Sequence, residues 1–246
     1  MFLKLRPLLC SLFFLAGMEF IALKQEAVLI VTIGLLAISL FESKKIGGKW
    51  FFSILPIFFT LSSTALLYLI TLAYEKQIFI FLASATYYMM LLGAYRLGKY
   101  NEDKTARGMN MAATSVTIFF TYASAYGLYL NFLVPLYALM IVYLLITLFI
   151  SYQHFSIIKG EQKNLIWIYS FLLALVMAEL VWTMNFWPFG YLTTGTAALI
   201  LYYVLWDMTQ SYFLNLLSKK RVVANMIFFS VLILMILASS KWIPVI

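Results

Sequence analysis

The sequence predicts an all-α fold: a polytopic transmembrane helix bundle of about nine spans, with the N-terminus inside and the C-terminus outside. Three observations carry that expectation. First, 65% of the 246 residues are apolar and 11% charged, against about 45–50% and roughly 25% in soluble domains. Mean hydropathy is +0.98. Second, apolar runs bounded by charges or turn residues recur along the whole chain, which at about 20 residues per crossing has room for roughly nine. Third, lysine and arginine gather at alternate boundaries between those runs.

The first run, near 5–23, begins like a signal peptide with Lys4 and Arg6. No small-x-small cleavage site follows, and Leu9 before Cys10 is too bulky for lipoprotein processing, so it reads as a retained helix. The second, near 27–42, is short and follows after only Leu-Lys-Gln-Glu-Ala, which implies a tight helical hairpin, with a re-entrant pair as the alternative. Further spans fall near 51–73, 78–95, 109–130, 132–153, 164–184, 190–206 and 222–239. Pro56 in the third and Pro135 near the start of the sixth bend or begin helices. The fifth carries Thr114, Thr117, Thr121 and Ser124 on one narrow face, a pattern that favours close packing over a pathway. After the eighth, residues 207–221 set Asp207, Gln210, Ser211, Asn215, Ser218 and Lys219 against Met208, Tyr212, Phe213, Leu216 and Leu217. This reads as an amphipathic segment at the inner surface or as the tilted end of a long helix. The loops are short, so residues 1–246 read as a single integral membrane domain.

Basic residues favour cytoplasmic loops and set orientation. With the N-terminus inside, the inner segments hold Lys4, Arg6, Lys44, Lys45, Lys49, Arg96, Lys99, Lys104, Arg107, Lys159, Lys163, Lys219, Lys220 and Arg221, and the outer ones only Lys24, Lys76 and Lys241. Miscounting a middle helix would destroy that asymmetry. Tryptophans agree: Trp50, Trp167 and Trp206 fall near inner ends, Trp187 and Trp242 near outer ends. The net charge of +8 thus follows from topology and attraction to anionic lipid. The partners it implies are the lipid bilayer and a membrane protein partner, with no nucleic acid.

Two acids, Glu19 and Glu179, lie inside predicted spans that run from inside to outside. Both sit about 7 to 9 Å below the outer boundary at the helical rise per residue. An ionisable group at such a position costs a few kcal/mol and is a functional-site hypothesis by default. Trp182, one turn from Glu179, would form a wall of the site, and Asn185 a hydrogen-bond partner near its mouth. The structural alternative is a carboxyl that accepts hydrogen bonds from a neighbouring helix and fixes packing. Catalytic signatures are absent: one histidine, His154, rules out a histidine-rich metal site, and no G-x-S-x-G or P-loop pattern occurs. No catalytic residue, metal ligand or cofactor is assigned. The lone thiol, Cys10, reads as a packing residue.

From Glu179 to Phe213 the chain resembles a bacterial family of small multi-pass membrane proteins known only as a domain of unknown function. The resemblance rests on Glu179-Leu180-x-Trp182, on the Phe-x-Pro-x-Gly-Tyr turn from Phe186 to Tyr191, and on the tyrosine-rich helix with a polar tail that follows. It covers the last third of the chain. It implies a multi-pass protein of the bacterial inner membrane and no particular activity or ligand.

Three function classes remain. The sequence favours a non-enzymatic subunit or scaffold of a membrane assembly, consistent with short loops and few buried charges. The second is a carrier for a small or lipid-like solute, with protonatable Glu19 and Glu179. The third is an intramembrane enzyme on lipid-linked substrates, for which the loop bearing Arg96, Lys99, Glu102, Asp103, Lys104 and Arg107 would bind a lipid phosphate. The expected location is the inner (plasma) membrane.

Overall fold

The computed structural model describes residues 2–100, 103–132, 134–158, 162–187 and 189–239. Glu102, Lys159, Pro188, Lys241 and Trp242, used above, lie outside them. Among the described residues the regular structure is entirely helical: α1 (Phe2–Leu23), α2 (Val28–Gly47), α3 (Ile54–Leu69), α4 (Ala73–Lys99), α5 (Lys104–Asn131), α6 (Leu136–Ile158), α7 (Lys163–Met184), α8 (Tyr191–Phe213) and α9 (Lys219–Ser239). One helix falls on each predicted run. Six of them, α1 to α4, α6 and α7, are long and apolar enough to cross a membrane. The apolar part of α9, Val222–Ala238, is shorter, and hydroxyl and amide side chains dilute α5 and α8.

Local chemistry sets the ends. Gly48 takes the left-handed conformation (φ 76°) just past α2 and donates its N–H to the Lys44 carbonyl at 2.8 Å, closing the last turn. Pro56 stands in the first turn of α3, where its missing N–H leaves no helical bond unmade. It begins the helix and does not kink it. Pro135 precedes α6 and its carbonyl accepts from Ala138 N–H at 3.0 Å. The stretch 207–221 divides between the last two turns of α8, a turn, and the start of α9. Asn215 causes the turn: at φ 55° it lets Leu216 N–H reach the Ser211 carbonyl (2.8 Å) while its own N–H bonds the Tyr212 carbonyl (3.1 Å), a Schellman ending.

Contacts group the chain into two compact units, residues 1–124 and 125–246, with the division inside α5. In the first, α1 to α4 pack mutually. Their node is polar: Ser39 of α2 hydrogen-bonds both Thr60 of α3 and Tyr87 of α4, each at 2.8 Å. The Tyr87 ring stacks on Phe14 of α1 with centroids 4.5 Å apart. Phe120 of α5 meets Phe59 (5.6 Å) and Phe79 (5.1 Å). At the C-terminal ends of α2 and α4 the backbones touch: a Cβ on Gly98 would stand 2.6 Å from the Gly47 carbonyl oxygen.

In the second unit α6 and α7 form a closely packed antiparallel hairpin, α8 lies on α7, and α9 on α8. A ladder joins α6 to α8: Ser151 with Tyr202 (3.2 Å between oxygens), His154 with Trp206 (ring centroids 4.7 Å), Phe155 with Phe213 (5.2 Å). Asn225 of α9 donates to the Asp207 carboxylate of α8 at 2.6 Å.

Candidate functional site

Glu19 and Glu179 belong to different units and have different surroundings. Glu19, near the end of α1, is half-buried, and its Oε2 accepts a hydrogen bond of 3.0 Å from Gln77 Nε2 in the second turn of α4. Gln77 escaped the sequence reading because nothing local links positions 58 residues apart.

Glu179 is exposed on the outward face of α7. The inward face of that helix includes the small residues Ser170, Ala174 and Ala178, which let neighbouring helices approach, beside Met177 and Val181. Glu179 lies opposite them, in a stripe with Leu172, Leu175, Trp182 and Phe186, all exposed. Trp182 does stand one turn from the carboxyl. Its indole ring meets Phe186 edge-on at 5.5 Å, so the two rings continue the outward stripe. Asn185 is half-buried just past the end of α7, where its backbone N–H bonds the Val181 carbonyl at 3.1 Å. Among the described residues the Glu179 side chain has no hydrogen-bond or ion-pair partner.

The basic loop is organised by its own acid. Arg96 approaches Asp103 Oδ2 with both Nε and Nη2 at 2.7 Å, and Asp103 Oδ1 accepts from Ala106 N–H at 3.1 Å, capping α5. That backbone N–H, followed by the Arg96 guanidinium, holds the Asp103 carboxyl below the usual carboxylate range. Asp immediately before a helix is a readable cap signal. Arg96, an obvious phosphate ligand by charge, is therefore already engaged.

The hydroxyl face of α5 is buried and largely turned back on its own helix. Thr114, Thr117 and Thr121 donate to the carbonyls four residues earlier at 2.7 to 2.8 Å, and Ser124 to that of Thr121 at 3.2 Å. Such hydroxyls serve helix packing. Cys10 is buried too. No group of three or more His, Cys, Asp or Glu side chains able to hold a metal occurs among the described residues.

The similarity first visible between Glu179 and Phe213 extends over most of the sequence. Neither curated proteins nor solved structures give a match. The chain belongs to the family described as protein of unknown function (DUF5656), whose family model matches residues 13–239.

Proposed function

We propose that this chain is a multi-pass protein of the plasma membrane and a non-enzymatic subunit of a membrane assembly, with the outward stripe of α7 as the face that meets its partner. Fourteen of seventeen basic residues at alternate helix boundaries support nine crossings with the N-terminus inside. The observation that carries the assembly reading is Glu179: a carboxyl with no partner among the described residues, set among exposed Leu175, Trp182 and Phe186. In hydrocarbon that side chain costs a few kcal/mol. A membrane helix that presents a cation or hydrogen-bond donor at the same depth removes the cost, and the adjacent aromatic rings supply contact area. The pairing of Arg96 with Asp103 weighs against the enzymatic reading of the basic loop.

The test is a charge swap. Wild type and the Glu179→Gln, Glu179→Leu and Glu179→Lys variants are purified in mild detergent and in nanodiscs, and composition is measured by native mass spectrometry. A stoichiometric membrane partner that is retained by Glu179→Gln and lost by Glu179→Lys supports the reading. A monomer in all four preparations overturns it. A pH-dependent solute flux in proteoliposomes, abolished by both Glu19→Gln and Glu179→Gln, would favour a carrier instead.

A further inference from the structure

Within the first unit, the contact of Gly98 with Gly47 brings the C-terminal ends of α2 and α4 together, and lysines crowd that junction. A Cβ on Gly98 would stand 3.2 Å from the Gly47 α-carbon. Counting outward at about 3.8 Å per residue, the α-carbons of Lys49 and Lys99 are at most about 16 Å apart. Both lysines are exposed, and their flexible four-carbon stems let two ammonium groups converge across such a gap. Lys44, in the last turn of α2, holds its ammonium 3.9 Å from the centroid of the Trp50 ring, a cation–π contact.

The nearby acids are already engaged: Glu42 pairs with Lys45 and Asp103 with Arg96, each at 2.7 Å. Lys44, Lys49 and Lys99 have no carboxylate partner among the described residues. The helix macrodipole favours cations in a last turn, which accounts for Lys44 and Lys99 but not for Lys49, which lies beyond α2. Nor does it account for the apolar surface beside them. Trp50 folds back to within 6.5 Å of Phe41, centroid to centroid, and both rings are exposed. Phe41 stands six residues before the end of α2, about 9 Å along the axis at the helical rise. Ammonium groups at the helix ends, an indole beside them and a phenyl ring further along α2 repeat the order of phosphate, glycerol and acyl chain in a phospholipid.

We propose that Lys44, Lys49, Lys99 and Trp50, together with Phe41, form a binding site for an anionic phospholipid. The three ammonium groups hold its phosphate, and its acyl chain lies along Phe41. A zwitterionic head carries an ammonium of its own, which the same lysines repel. This site rests on the membrane reading above and not on the partner face of α7.

The full chain is incorporated into phosphatidylcholine nanodiscs containing a minor fraction of phosphatidylglycerol, and the lipids it retains are identified by native mass spectrometry. Phosphatidylglycerol should be retained in preference to phosphatidylcholine. Lys49→Gln and Lys99→Gln should each weaken that retention roughly fivefold, the effect of one lysine at an anionic surface. Lys163→Gln, an exposed lysine of the second unit, should leave it unchanged. No preference for phosphatidylglycerol in a folded, incorporated chain would overturn the proposal, as would an equal loss in Lys163→Gln, the result for diffuse attraction to the whole basic surface. Displacement of the lipid by soluble glycerol phosphate would also overturn it, since the acyl chain would then contribute nothing. A chain that fails to enter nanodiscs at all would remove the membrane reading and this site with it.

Discussion

Gln77 Nε2 donates a hydrogen bond of 3.0 Å to Glu19 Oε2, tying the second turn of α4 to the far end of α1. Gln77→Leu removes the donor and should lower stability by about 1 kcal/mol, the usual net worth of such a bond. Glu19→Gln keeps an acceptor oxygen and should cost less. Thermal unfolding in detergent separates the two. Equal losses would mean that the carboxylate's charge matters, and not the hydrogen bond.

The Asp103 cap makes a pH prediction. Its carboxyl titrates lower in the folded chain than in the unfolded one because Ala106 N–H and Arg96 favour the charged form. Stability from this group is fully present above the unfolded value of about 3.9 and is lost as pH falls through the lower folded value. Hydrogen exchange should therefore be faster at the first amides of α5 in Asp103→Asn than in wild type at neutral pH. The two should converge in acid, once wild type is protonated.

At the Ser39 node, the order of two costs is the test. Tyr87→Phe leaves Ser39 bonded to Thr60 and should cost about 1 kcal/mol. Ser39→Ala strands two buried hydroxyls and should cost more, about 2 kcal/mol. Hydroxyl pairs between membrane helices average about 0.6 kcal/mol, so a double-mutant cycle with Thr60→Val is needed to apportion the energy. A Tyr87→Phe loss as large as that of Ser39→Ala would show that Thr60 finds another partner.

Cys10 is 5% exposed on α1. A membrane-permeant maleimide should label it slowly in the native chain and to completion in SDS, since buried thiols are inert. Rapid native labelling would show that α1 does not pack as described.

Much of the helix content was legible because apolar runs of about 20 residues bounded by charges have the length and composition of helices that satisfy their own backbone. The helix ends were less so. Polarity rises before helicity stops, so α2 runs through Glu42, Lys44 and Lys45 to Gly47, and α8 continues past Trp206 to Phe213, five and seven residues beyond the apolar runs. Asn215 and Gly48, not hydropathy, end those helices. The two acids inside apolar runs could be found from sequence, but not their surroundings. The face of Glu179 was partly readable, since the small residues Ser170, Ala174 and Ala178 mark the opposite, packed side of α7. The contact of His154 with Trp206 was not, because it depends on how α6 meets α8.

The touching backbones at Gly47 and Gly98 have a mechanical consequence. With a carbonyl oxygen where any larger residue at 98 would place its first carbon, neither α2 nor α4 can rotate there without separating from the other. This joint acts as a fulcrum. Thermal breathing of the two helices must open at their opposite ends, where the hydrogen bond of Gln77 to Glu19 ties α4 to α1 and not to α2.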